Sequence, residues 1–147
     1  MRGGDAPRRA LRAITIVYLF VAATFAVSIP LGKGPDETAH VRYIEFLSQE
    51  RRLPVFDREN PDPDYEFHQP PLYYAMAAPV YGLAGGDESA QLALRFFTVL
   101  LSLPLIYLTF GLGRLLAPER PWAAAGAAGI VAFLPMQLSV ATTIGND

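Results

Sequence analysis

Asp36 and Glu37 stand side by side directly after an uncharged run long enough to cross a bilayer, and His40 follows one helical turn later. Two adjacent carboxylates resist ionising together, which raises the proton affinity of the pair. On a helix, His40 lies four residues from Asp36 and three from Glu37, so the three side chains can meet. That combination suits removal of a proton from a hydroxyl at a membrane surface. A second group, Glu66-Phe67-His68-Gln69, sets a carboxylate, an imidazole and an amide just before Pro70-Pro71. Pro70 keeps Gln69 out of the α region and Pro71 can open the next helix, so these polar groups are presented at a helix mouth. Plainer explanations exist for both groups. Carboxylates at a helix start are favourable caps against the dipole, and prolines followed by tyrosines make a rigid turn with an aromatic belt.

The elements that must carry these residues are helices of a membrane protein. The chain is 52% hydrophobic, and its apolar residues gather into long runs. Ala13 to Leu31 is uncharged; these nineteen residues reach about 28 Å. This run predicts a first transmembrane helix over 13–32. A cleaved signal peptide is the rival, with Arg8, Arg9 and Arg12 before it, but the run exceeds the usual apolar core of roughly 7 to 15 residues. Phe96 to Gly113 is also uncharged and predicts a second span over 92–116, with Arg95 as an interfacial anchor. Trp122 to Gly145 predicts a third, over 122–145, with Pro135 as a kink and small residues suited to close packing.

Charge sets the orientation. Arg2, Arg8, Arg9 and Arg12 make residues 1–12 basic and place the amino terminus in the cytoplasm. Residues 33–91, with eleven acidic residues against five basic ones, form a large external loop. The turn 117–121 with Arg120 is cytoplasmic again, and 146–147 emerge outside. Within the loop, a helix from Pro35 or Asp36 to about Arg52 carries an apolar stripe of Val41, Ile44 and Leu47, which would lie on the membrane surface or on neighbouring spans. The uncharged stretch Gln69 to Gly86 predicts a short interfacial or re-entrant helix, with Tyr73, Tyr74 and Tyr81 at headgroup level. The expected fold is therefore an all-α membrane protein with three transmembrane helices and two juxtamembrane helices in its first external loop. The segment Asp57 to Glu66 reads as a solvated loop. The acidic loop repels phosphates, which argues against nucleic acid as a partner. The absence of cysteine excludes a disulfide framework and thiolate metal sites.

Pro35-Asp36-Glu37-x-x-His40-x-x-Tyr43, then Leu53-Pro54, then Glu66-x-His68-Gln69-Pro70-Pro71-Leu72-Tyr73-Tyr74 resembles the first external loop of the GT-C superfamily of membrane glycosyltransferases. The nearest group is the bacterial dolichyl-phosphate-mannose-protein mannosyltransferase-like one. The likeness continues through Arg95, Gly111 to Arg114 and Asn146-Asp147, covering nearly the whole chain. It implies an inverting transferase of the cell membrane, multi-pass, that moves a sugar from a polyprenyl-phosphate donor to a hydroxyl of a protein or glycan acceptor outside the cytoplasm. It implies Asp36 as catalytic base with Glu37 as its neighbour, and His40, His68, Gln69, Tyr73, Asn146 and Asp147 as substrate-binding groups. No cofactor is implied. Members have more spans, so the expectation is an amino-terminal portion that alone turns over nothing. Two other readings stand beside it. One is a small non-enzymatic membrane accessory protein that binds a partner through its acidic loop; the other is a divalent-metal site built from Asp36, Glu37, His40 and Glu66 or His68.

Overall fold

The computed structural model describes residues 5–55, 59 and 65–146. Among these the chain is all-α, with six helices: α1 Asp5–Ser28, α2 Glu37–Glu50, α3 Leu72–Leu83, α4 Glu88–Leu116, α5 Pro121–Ala132 and α6 Pro135–Ala141, plus a 3₁₀ turn at Tyr65–His68. Helices α1 and α4 are long and apolar enough to cross a membrane, and α5 with α6 qualifies as a third crossing if the bent pair is one span. These features mark a membrane protein. Helix α1 starts at Asp5, earlier than the uncharged run, because Ala and Arg are strong helix formers and carry the helix through the basic segment.

The described chain divides into two compact units. The first comprises residues 5–25 and 99–142. Its core joins Leu11, Tyr18 and Ala22 of α1, Val99 and Ile106 of α4, Ala128 and Ala132 of α5, and Leu138 and Ala141 of α6. The Tyr18 hydroxyl pairs with Ser102, which satisfies a polar group that hydrocarbon could not. Helix α5 buries Ala124, Ala125, Ala128 and Ala132, so backbones rather than long side chains meet along that face. Gly113 permits the closest approach: a Cβ there would lie 2.9 Å from both Cα and Cβ of Ala124. Ile16, Phe20, Leu108, Leu115, Leu116 and Ile130 point outward and are exposed, as lipid-facing side chains of a membrane helix would be.

The third predicted span is broken. Leu134, held extended at φ −62° and ψ 124° by the following proline, separates α5 from α6, and the two axes differ by 59°. Pro135 thus acts as a full interruption with its ring at the first position of α6, and the helix stops at Ala141, short of Gly145.

The second unit comprises residues 26–98 and 143–146. Tyr43 and Ile44 of α2, Tyr73, Tyr74, Ala77, Ala78 and Tyr81 of α3, Ala90 and Leu94 of α4, and Ile144 form its core. Of the two placements expected for the stripe, the membrane surface or neighbouring spans, the second fits: Ile44 is buried and Val41 and Leu47 pack against this cluster, which includes Ala90 and Leu94 of α4. The three tyrosines also turn inward rather than toward headgroups. Their rings are buried in this core, which removes large apolar areas from water, and the Tyr43 and Tyr74 rings stack at 3.9 Å.

Candidate functional site

The second unit is organised around one buried ion pair. Arg95, in the amino-terminal part of α4, and Glu37, in the first turn of α2, both have side chains with no solvent exposure. The guanidinium grips the carboxylate with two parallel bonds, Nε to Oε1 and Nη2 to Oε2, each 2.7 Å. Its remaining donors reach the carbonyls of Ala26 (2.8 Å), Ile29 and Pro30 (3.0 Å), the orphan acceptors where α1 ends. All five guanidinium hydrogens are therefore used. The carboxylate is equally full, because the backbone N–H of Gly34 (3.1 Å) and of Ile144 (3.3 Å) donate to it as well. Gly34 can deliver its N–H only because it lacks a side chain: a Cβ there would meet the Thr143 methyl at 2.8 Å and Glu37 Oε2 at 3.2 Å.

Burial alone would push the Glu37 carboxyl up. The bonds from Arg95, Gly34 and Ile144, together with the guanidinium charge, outweigh it and hold the carboxyl below the usual range. The Glu37–Arg95 pair thus ties four segments together: the end of α1, the start of α2, α4 and the chain after α6. Glu37 has no lone pair left for a substrate.

A second polar chain starts at His40. Its Nδ1 lies 2.8 Å from the Tyr74 hydroxyl, which donates to Asn146 Oδ1 at 3.3 Å; Asn146 Nδ2 in turn donates to Gln69 Oε1 at 3.4 Å. Glu66, from the 3₁₀ turn, is buried with Oε2 3.9 Å from the same Nδ1, and that oxygen accepts no hydrogen bond from the described residues. Beside this chain the Tyr73 hydroxyl pairs with Thr98 at 2.8 Å. Burial pushes the Tyr73 phenol up, and the Glu37 charge adds to the effect against the hydrogen bonds of Thr98 and Gly145.

Asp36 differs from all of these. Its backbone takes the left-handed conformation at φ 50°, its side chain makes no capping bond, and it is exposed. Asp and Asn tolerate that conformation better than other residues with a Cβ. Its carbonyl still receives the N–H groups of Ala39 and His40, so the residue is held at the helix entrance while its carboxylate faces outward.

The residues singled out from sequence are distributed as follows. Asp36, Glu37 and His40 share the start of α2 but diverge: Asp36 faces solvent, Glu37 binds Arg95 and His40 binds Tyr74. Gln69, Tyr73 and Asn146 lie in the same unit, with Gln69 and Asn146 bonded to each other, and His68 is exposed at the end of the 3₁₀ turn. Asp147, and the loop charges Asp57, Asp62 and Asp64, lie outside the described residues. No group of three or more metal-ligating side chains converges among the described residues. Arg95 is a buried partner of Glu37 rather than an interfacial anchor. A cation at the edge of an apolar run, in a chain with an acid beside another span, is the signal that could have found the pair, because such charges are tolerated only when matched. Glu66 stood out in the sequence as the carboxylate before the prolines and Tyr74 as an interfacial tyrosine, but neither was expected beside His40. Comparison with known proteins finds no matching family model, no similar curated protein and no similar solved structure.

Proposed function

We propose that this chain forms the acceptor-activating part of an inverting membrane glycosyltransferase of GT-C type, acting on the extracytoplasmic side with a polyprenyl-phosphate sugar as donor. One observation carries the reading. Of the two adjacent carboxylates, Glu37 is saturated by its buried clamp, and Asp36 is fixed beside it with an outward, uncommitted side chain. In the proposed reaction Asp36 takes the proton of an acceptor hydroxyl as its oxygen forms a bond to the anomeric carbon. The bond from that carbon to the lipid phosphate breaks on the opposite face, and the phosphate leaves as an anion. Arg95 does not serve that phosphate, since its donors are all occupied. Glu37 and Arg95 are positioning residues. The chain of His40, Tyr74, Asn146 and Gln69 supports a role in orienting sugar hydroxyls.

The test is sugar transfer by membranes carrying the gene's full product. Asp36→Asn should lower transfer from a polyprenyl-phosphate sugar by about 10²–10⁴-fold, the usual contribution of a general base, with insertion and folding unchanged. Undiminished transfer rejects Asp36 as base.

A second reading has its own support: both Glu37 and His40 are engaged in internal bonds, as they would be in a non-enzymatic membrane accessory protein whose polar groups hold its shape. That reading expects no transfer from the unaltered protein.

A further inference from the structure

Helix α3 is apolar on every face yet only half of it is buried. From Gln69 to Gly86 there is no charged residue. Tyr73, Tyr74, Ala77, Ala78 and Tyr81 point into the core of the second unit. The opposite face carries Leu72, Ala75, Met76, Pro79, Gly82 and Leu83, all exposed, with Leu72 at 70% and Leu83 at 91%. Residues 72, 76, 79 and 83 recur at helical spacing and make one continuous outward stripe. A helix facing water on that side would be expected to carry polar residues there. Along one flank the stripe opens into an apolar groove lined by Leu47, Ala75, Ala78, Pro79, Gly82 and Leu83 together with Ser48 and the exposed Arg51.

We infer that this stripe is seated in the bilayer at the boundary between headgroups and acyl chains, with phospholipid as its occupant and Arg51 at phosphate level. Three features select lipid. The same chain carries two helices able to cross a membrane, so a bilayer is at hand. The stripe holds no hydrogen-bonding side chain, as hydrocarbon requires and as a specific protein partner rarely does. The groove also pairs an apolar trough with a guanidinium, the complement of an acyl chain ending in a phosphate diester, and Arg is well suited to that anion. The inference stands apart from any sugar-transfer activity. It also places the lipid contact on the side of α3 opposite the tyrosines, where the uncharged run alone put it.

The chain has no cysteine, so single cysteines report cleanly. Leu72→Cys, Met76→Cys and Leu83→Cys, each carrying an environment-sensitive fluorophore, are compared with Gln49→Cys on exposed α2 in phosphatidylcholine vesicles. Brominated acyl chains should quench the three α3 labels and spare position 49, while iodide quenches position 49 and spares the three. An Arg51→Cys label should be quenched at a shallower depth than position 83. Ala77→Cys, facing the core, should resist thiol reagents in each preparation and so certifies the fold. Iodide quenching of the α3 labels overturns the inference. So does protection from both quenchers, whether it depends on protein density, which points to a second copy, or not, which points to cover from within the chain.

Discussion

Removing either half of the Glu37–Arg95 clamp should open the second unit, and removing both should cost much less than the sum. Glu37→Ala strands a guanidinium with no solvent exposure and takes the acceptor from the Gly34 and Ile144 N–H groups. Arg95→Met leaves a buried carboxylate with only those two backbone donors and frees the carbonyls of Ala26, Ile29 and Pro30. Breaking a buried pair from one side costs about 3–5 kcal/mol, and both residues are near the upper conditions for that cost because every bond is made inside. In the double variant no unmatched charge remains, so a coupling of about 3 kcal/mol is expected, at the top of the range for residues in direct contact. The assay uses Ala90→Cys, whose site is fully buried in the core of the unit, as a thiol-accessibility reporter in detergent micelles. Protection from labelling should fall by roughly 150- to 5,000-fold in each single variant. A fall below about tenfold, or additive losses in the double variant, refutes the clamp as the organiser of the unit.

Three further outcomes follow from named contacts. Glu37 is held below the usual carboxylate range in the folded chain, so its contribution is complete above the ordinary carboxylate value and is lost as pH falls through its lowered one; Ala90→Cys protection should decline across that acidic window and should not in Glu37→Gln. Gly113→Ala, whose new Cβ meets the Ala124 backbone, should lower stability by about 1–3 kcal/mol, whereas Gly111→Ala, with nothing within 4 Å, should be neutral or stabilising in thermal unfolding. Tyr74→Phe removes the hydroxyl that joins His40 to Asn146, and nitrogen NMR of the imidazole should then show a shifted Nδ1 resonance together with a cost of about 1–3 kcal/mol.

Local features of the chain could be read directly because their causes are local. Charge-free length points to α1 and α4, and Pro135 marks the bend of the third run, although it was expected as a kink in one span and the structure has a break between α5 and α6. The start of α2 near Asp36 and the helix between Gln69 and Gly86 also follow from nearby residues. What could not be read rests on partners distant in sequence. Glu37 and Arg95 are 58 residues apart, and His40 and Tyr74 are 34 apart, so helical spacing suggested that Glu37 and His40 would meet each other instead. A carboxylate with a guanidinium in reach gains two parallel charge-assisted bonds there, against one with an imidazole, and tertiary contact decides the outcome. The facing of α3 was hidden for a different reason: with apolar residues all round, periodicity cannot say which side is inside. Aromatic side chains suit an interface and a core equally well, and here the tyrosine side packs inward.

In the proposed topology the exposed Asp36 carboxylate stands at the extracytoplasmic surface, while Glu37 is buried against Arg95. Asp36→Cys, the only cysteine in the chain, can be exposed in intact cells to a membrane-impermeant maleimide, with Arg8→Cys, which the proposed topology puts on the opposite side, as the comparison. Labelling of position 36 from outside, with position 8 reached only after lysis, is the predicted result. Labelling of position 36 only after lysis contradicts it.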